Sequence, residues 1–321
     1  MKKKIILISG DPNSINSEII YKTYKKLKYS TKKNIFLIAN YSLFQNQLKK
    51  LKYHLNLIKV KNIDENVIGD GLKVIDIGFK FKNSFNLHRY TASRFIKKSF
   101  FLAHKLAQRK DVSGIINCAV DKKLLNKKNV GITEILATLN KVKNKREVML
   151  IYNKKLSVCP ITTHLDLKRV PKSITKNLIF YKIITIKDWF FKRFNKKPNI
   201  CVLGINPHNA EFRNNSEEKK IIIPVIKKLK SKKINIKGPF SADTIFINDY
   251  KKYDVIVGMY HDQVLAPFKT LFKFDAINLT LGLKYLRLSP DHGVAKGLIG
   301  KNKANPQSLI KCINFLEEFD K

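Results

Sequence analysis

A chain of 321 residues, 44% of them hydrophobic, exceeds the usual single-domain size and can bury a real core, so two domains are expected. The formal net charge of +40 comes from 64 Lys+Arg against 24 Asp+Glu, and it is spread along the whole chain as lysine, with Ile and Asn over-used beside it. That spread argues against a dedicated nucleic-acid surface, where charge clusters and interleaves with arginine or aromatics, and no apolar stretch is long enough to span a bilayer.

The chain opens on Met1-Lys2-Lys3-Lys4 and a short apolar run that ends at Gly10-Asp11-Pro12, which reads as a first strand over Lys4–Ser9 and not as a signal peptide. A helix over Ser17–Leu27 and a strand over Asn34–Ala39 follow. Thr91–Arg109 is a long helix with Thr91 as its N-cap, Ser113–Cys118 a strand and Thr133–Lys143 a helix. Val148–Tyr152 and Leu156–Ile161 read as paired strands, Ile174–Phe194 as mostly helix and Asn199–Ile205 as a buried strand. Asn215 opens a helix with Glu218 as its capping-box partner. Asp243–Asp249 is helical, Asp254–Met259 and Phe274–Leu279 are strands, and Pro306–Phe319 is a closing amphipathic helix. This alternation predicts α/β layers on a largely parallel sheet, in which ligands bind at the carboxyl ends of strands. Crossings between domains are expected at Gly131 and in Asn278–Gly282. Cys118, Cys159, Cys201 and Cys312 lie apart in apolar runs, so they read as buried thiols in a reducing, cytoplasmic compartment.

Three of the seven histidines follow predicted strands: His164, His208 and His261. Three imidazoles at strand ends can converge on one divalent metal with a coordination position left open, although any one alone fits an ordinary surface or loop histidine better. Lys269, Asn278 and Arg287 form an anion-reading set, in which Arg287 is the more informative because arginine is scarce here. Ser289-Pro290-Asp291-His292-Gly293 begins a glycine-bearing loop. Neither a G-x-G-x-x-G after the first strand nor a P-loop is present.

Taken together, Thr162-Thr163-His164-Leu165, Asn206-Pro207-His208, Gly238–Thr244, Met259-Tyr260-His261-Asp262-Gln263, Asn278–Leu283 and Asp291-His292-Gly293 resemble the 4-hydroxythreonine-4-phosphate dehydrogenase family of pyridoxal 5'-phosphate biosynthesis. The resemblance implies two αβα-layered domains with an interdomain cleft, like isocitrate and isopropylmalate dehydrogenases. They would comprise residues 1–130 plus 279–321 on the nucleotide side and 131–278 on the metal and dimer side. It implies His164, His208 and His261 as ligands of one divalent metal per subunit, zinc first, with magnesium or cobalt as alternatives. Thr133, Lys269, Asn278 and Arg287 would contact substrate, Asp243 and Asp262 would be catalytic acids or bases, and His292 and Gly293 would border the adenosine side of NAD(P). The implied reaction is oxidation of 4-phosphooxy-L-threonine followed by decarboxylation, in a homodimer that shares its site, with no specific nucleic-acid or membrane partner. A related phosphorylated sugar acid is the alternative substrate, and a basic nucleic-acid-binding protein the alternative of another class.

The chain departs from the family's pattern in places. Ser14 and Asn16 stand where glycines would relax the first strand-to-helix turn, and Ile132 where the family has a substrate-binding histidine. Asn209–Arg213 lacks the usual glycines, and Asn117–Lys122 matches in part, retaining Lys122.

Overall fold

The computed structural model describes residues 3–65, 67, 69–125, 131–273 and 275–318. Met1 and Lys2 of the basic start, Val130 beside the expected crossing, and the expected element ends Phe274 and Phe319 lie outside the described residues. The chain forms two compact units, residues 1–136 with 284–321, and residues 137–283.

Strands are numbered in chain order. The first unit holds β1 (Lys4–Ile8), β2 (Ile35–Ala39), β3 (Leu57–Val60), β4 (Leu72–Asp76), β5 (Val112–Asn117) and β12 (Leu286–Pro290), in the order β3-β4-β2-β1-β5-β12. Every one of these pairings is parallel. A parallel sheet is covered on both faces, which is why β1 and β2 are nearly unbroken apolar runs. Helix Arg89–Ala107 packs on β1 and β5, and helix Gln307–Glu318 on β5 and β12.

The second unit holds β6 (Val148–Tyr152), β7 (Ser157–Pro160), β8 (Ile200–Leu203), β9 (Ile236–Phe240), β10 (Val255–Gly258) and β11 (Ile277–Leu281), in the order β11-β6-β7-β10-β8-β9. β7, β10, β8 and β9 run parallel, while β6 is antiparallel to both β7 and β11. Leu156, Val158, Cys201, Ile256, Val264 and Phe268 centre its core, with helix His261–Phe272 laid on β7 and β10.

Several local expectations are corrected. His88, not Thr91, caps the long helix, its Nδ1 accepting from Tyr90 N at 3.3 Å. The helix expected to reach Lys143 ends at Leu139. There the chain reverses through Lys141 at φ 54, and Val142 N bonds back to Ala137 O. The Asp243–Asp249 helix is instead two single turns, Ala242–Ile245 and Asp249–Lys252. Asn215 and Glu218 form no capping box: Ser216 Oγ accepts from Lys219 N at 3.2 Å, and Glu218 is used elsewhere. Among the described residues, no helix is long and apolar enough to cross a membrane.

The first strand-to-helix turn works without the missing glycines. Neither Ser14 nor Asn16 has positive φ. Ser14 Oγ donates to Asp11 O at 2.5 Å, and Asn16 Nδ2 donates to Ala119 O at 2.8 Å, so side-chain bonds now hold the turn. Gly10 is the position that needs glycine, with φ 76 and a would-be Cβ only 2.5 Å from Ala119 O.

Candidate active site

In the second unit, β7, β10 and β8 are neighbours and parallel, so their carboxyl ends lie side by side, and each leads to one of the histidines singled out above. Backbone bonds from Ile161 N to Gly258 O and Thr162 N to Met259 O, with Thr162 Oγ1 on Met259 O at 2.7 Å, tie the ends of β7 and β10. Gln263 ties β10 to β8: its Oε1 accepts from Met259 N and its Nε2 donates to Gly204 O, both at 2.7 Å. Gly258 leaves room for this amide, since a Cβ there would lie 2.9 Å from Gln263 Oε1.

His164 and His261 come together, with ring centroids 5.5 Å apart. His261 Nδ1 is paired with Asp262 Oδ1 at 2.8 Å. A carboxylate on Nδ1 fixes the tautomer and leaves Nε2 as the ligating atom. By donor chemistry this pair fits a divalent metal. His208 does not join them: among the described residues no three His, Cys, Asp or Glu side chains are grouped for a metal. Its segment winds the left-handed way, with φ between 48 and 56 from His208 to Phe212, a conformation that costs about 1–2 kcal/mol per residue.

Glu218 anchors the turn that leads into that segment, a role sequence reasoning missed. Fully buried, it accepts from Ile205 N at 2.8 Å, Asn206 N at 2.9 Å and Asn206 Nδ2 at 3.0 Å. Burial pushes its carboxyl up, but the Asn206 and Ile205 donors outweigh burial and hold it below the ordinary value. Asp262, Asp243 and Lys269 are exposed on the same unit. Asn278 is half-buried on β11, and its Oδ1 is sequestered with no hydrogen-bond partner among the described residues.

In the first unit Arg287 is only 3% exposed, a guanidinium embedded in the sheet and not a surface fork. Its Nε donates to Asn117 Oδ1 at 2.7 Å, and burial brings its pKa down to about 10. Glu134 lies in electrostatic reach of both Arg287 and Lys122. Thr133 is half-buried one residue before Glu134, on helix Ile132–Leu139. Asn117 and Glu134 carried no sequence signal beyond their place at a strand end and beside Thr133.

A second corner of this unit gathers at the carboxyl ends of β1, β5 and β12. Ile15 N bonds to Val294 O, Lys296 Nζ lies 3.7 Å from Asp121 Oδ2, and Asp291 N bonds to Ser308 Oγ at 2.8 Å. Asp11 accepts from Asn13 N and Asp121 N here, and burial, outweighing those bonds, holds its carboxyl above the ordinary value. His292 Nδ1 bonds to Gly293 O at 3.0 Å, which leaves Nε2 as a buried acceptor without a partner among the described residues. Among the described residues, chain neighbours aside, no atom lies within 4 Å of a Cβ built on Gly293. An orphaned acceptor beside an open glycine backbone fits a ligand that brings hydroxyl or amide donors, as a dinucleotide does.

Burial lowers the His292 pKa below its ordinary 6.5, against the opposing bond to Gly293 O and the charge of Asp291. The unfolded chain therefore binds this proton first. His292 contributes stability that is complete above pH 6.5 and lost as pH falls through the folded value. Denaturant midpoints measured from pH 7.5 downward should fall less steeply below pH 6.5 in His292→Gln than in wild type. Identical slopes would show that His292 titrates alike in the folded and unfolded chain.

The family described as pyridoxal phosphate biosynthetic protein PdxA matches residues 31–316. A 4-hydroxythreonine-4-phosphate dehydrogenase of Sulfurihydrogenibium sp. (strain YO3AOP1) is 36% identical over 320 residues, covering 97% of this chain and 96% of the relative. A D-threonate 4-phosphate dehydrogenase of Salmonella typhimurium is 30% identical, with 97% of each covered. The crystal structure of the 4-hydroxythreonine-4-phosphate dehydrogenase of Klebsiella pneumoniae superposes with a TM-score of 0.84 at 26% identity, covering 99% of this chain and 100% of that one. At the level of fold alone, a β-decarboxylating dehydrogenase from Thermococcus kodakarensis aligns with a TM-score of 0.50 at 12% identity, over 99% of this chain and 83% of that one.

Proposed function

The chain belongs to the pyridoxal phosphate biosynthetic protein PdxA family, and from that premise we propose that it oxidises 4-phosphooxy-L-threonine with NAD(P)+ in pyridoxal 5'-phosphate biosynthesis. The observation that carries the reading is near full-length kinship with 4-hydroxythreonine-4-phosphate dehydrogenases, and the paired imidazoles of His164 and His261 supply the chemistry it needs. The C3–H leaves as hydride to the nicotinamide, and the hydroxyl proton goes to a base. The β-keto acid, 2-amino-3-oxo-4-phosphooxybutanoate, then loses carbon dioxide and takes up a proton, giving 3-amino-2-oxopropyl phosphate.

His164 and His261 would hold one divalent metal per subunit, zinc first, with magnesium or cobalt as alternatives, and His208, which stands apart from them in this structure, is the third ligand the family resemblance implies; the metal would supply Lewis-acid polarisation of the reacting oxygen. Asp262 acts through His261 by fixing its tautomer, which leaves Asp243 as the carboxylate for the hydroxyl proton. Lys269, Asn278, Thr133 and Arg287 bind the phosphate, amine and carboxylate ends of the substrate and orient it. Asn117 holds the Arg287 guanidinium in place through its bond to Nε. His292 Nε2 and the open backbone at Gly293 receive the adenosine side of the cofactor. The protein acts as a cytoplasmic homodimer. Four buried free thiols fit a reducing compartment, and Leu167 and Ile247, 66% and 67% exposed on the second unit, are apolar surface that a partner subunit would cover.

The second reading is oxidation of a phosphorylated sugar acid such as 4-phospho-threonate or -erythronate, favoured by Ile132, which can donate no hydrogen bond to an anionic substrate, and by the threonate-phosphate relative. Comparing kcat/KM for 4-phosphooxy-L-threonine and D-threonate 4-phosphate separates the two. On the first reading the amino acid is preferred, and Ile132→His is tolerated and lowers its KM, since a hydrogen bond to a charged partner is worth about 1.5–3 kcal/mol. Preference for the threonate would make Ile132 the mark of a changed substrate. Collapse of the fold in Ile132→His would instead make that side chain part of the packing.

A further inference from the structure

At the opposite end of the first unit's sheet from the 291–296 loop, where β2 and β4 begin, lies a cavity of about 340 Å³. Tyr24, Tyr29, Lys32, Lys33, Asp70 and Lys73 are among the residues that line it. Two of its ammonium groups lie over tyrosine rings and the third bonds a backbone carbonyl, and among the described residues none of the three is in an ion pair. Lys32 Nζ sits 5.1 Å from the centre of the Tyr24 ring, and Lys33 Nζ sits 4.4 Å from that of Tyr29. Lys73 Nζ donates to Lys33 O at 2.8 Å. A ring face or a carbonyl holds an ammonium in place without cancelling its charge. Other lysines of this unit are neutralised directly: Lys4 by Asp64 and Asp111, and Lys22 by Glu18.

The electrostatics agree. Burial, then the charges of Lys4 and Lys33, lowers the Lys73 pKa, so that ammonium is held where another positive charge is unwelcome and a negative one would relieve it. Burial, then Asp70 and Tyr29, pushes the Tyr24 phenol up to about 12. Three lysines and one aspartate are among the residues that line a concavity whose size lies in the range of small-molecule sites, roughly 300–1,000 Å³.

We propose that this cavity is a second ligand site, separate from the residues of the proposed reaction, and that it binds a phosphorylated small molecule whose phosphate sits among Lys32, Lys33 and Lys73. None of these residues follows the strand ends that carry the reaction, so occupancy need not compete with substrate.

The test must separate a built site from the attraction of a strongly basic chain. Calorimetric titration of the full chain with pyrophosphate at physiological salt should give saturable binding. Lys33→Gln/Lys73→Gln should weaken it tenfold or more and leave kcat/KM of the oxidation unchanged. Lys227→Gln/Lys230→Gln removes the same charge from exposed positions of the other unit and should bind like wild type. Parallel titrations with AMP and inorganic phosphate assign the source: tighter AMP binding points to a nucleotide, equal binding to the bare phosphate group. Absence of saturable binding, or equal weakening in both double variants, would overturn the proposal. Failure of the oxidation assay alone would leave the binding result standing.

Discussion

Replacing His261 with alanine should lower kcat/KM by about a thousandfold or more and leave the fold intact. The imidazole lies with its ring centre 5.5 Å from that of His164 and is oriented by Asp262 at 2.8 Å, so at the proposed metal site its loss would remove one ligand and the partner of another. Lewis-acid stabilisation is worth several kcal/mol, and each 1.36 kcal/mol is tenfold in rate, which sets the scale at about 10³. His261 is half-exposed at the first residue of its helix, so circular dichroism and thermal midpoint should barely change. Asp262→Asn should give a smaller loss, about 10–100-fold, as expected for a residue that orients a ligand. Normal turnover by the alanine variant would show that the strand-end histidines do no chemistry.

Glu218→Ala should be the most destabilising of these substitutions. The carboxylate satisfies two backbone amides and the Asn206 side chain in the segment that leads to His208. Each buried donor left without an acceptor costs about 1–3 kcal/mol, so a loss of about 3 kcal/mol or more is expected, and with it a fall of several degrees in Tm. Glu218→Gln keeps one acceptor oxygen and should lose less. The carboxyl is held below its ordinary 4.5, so its contribution is complete above pH 4.5 and lost as pH falls through the folded value. The Gln variant should therefore lose part of wild type's acid sensitivity. A Tm within a degree of wild type in Glu218→Ala would mean that the 204–206 turn stands without it.

What could be read from sequence followed from how each residue is buried. β1, β2 and β10 are covered on both faces and so are continuous apolar runs, visible without any partner. β3 and β4 escaped notice because lysines interrupt them, in Leu57–Val60 and Leu72–Asp76. β9 carries Gly238-Pro239, and β12 carries a charged residue, Arg287, whose burial depends on Asn117 from a strand 170 positions away. Helix His261–Phe272 was hidden by Pro267 within it. At the site, the histidines were legible because each follows an apolar run, and the neighbouring of β7, β10 and β8 puts those runs side by side. Glu218 was not, since its spacing from Asn215 mimics a helix cap while its true partners lie 12 and 13 residues upstream. The left-handed run from His208 to Phe212 has no glycine to announce it.

The most direct test of the central claim is reduction of NAD+ by the purified protein with 4-phosphooxy-L-threonine, with added divalent metal and with a chelator. The predicted result is NADH formation that the chelator abolishes and metal restores. Turnover indifferent to the chelator, or none with this substrate or the phosphorylated sugar acids, would contradict it.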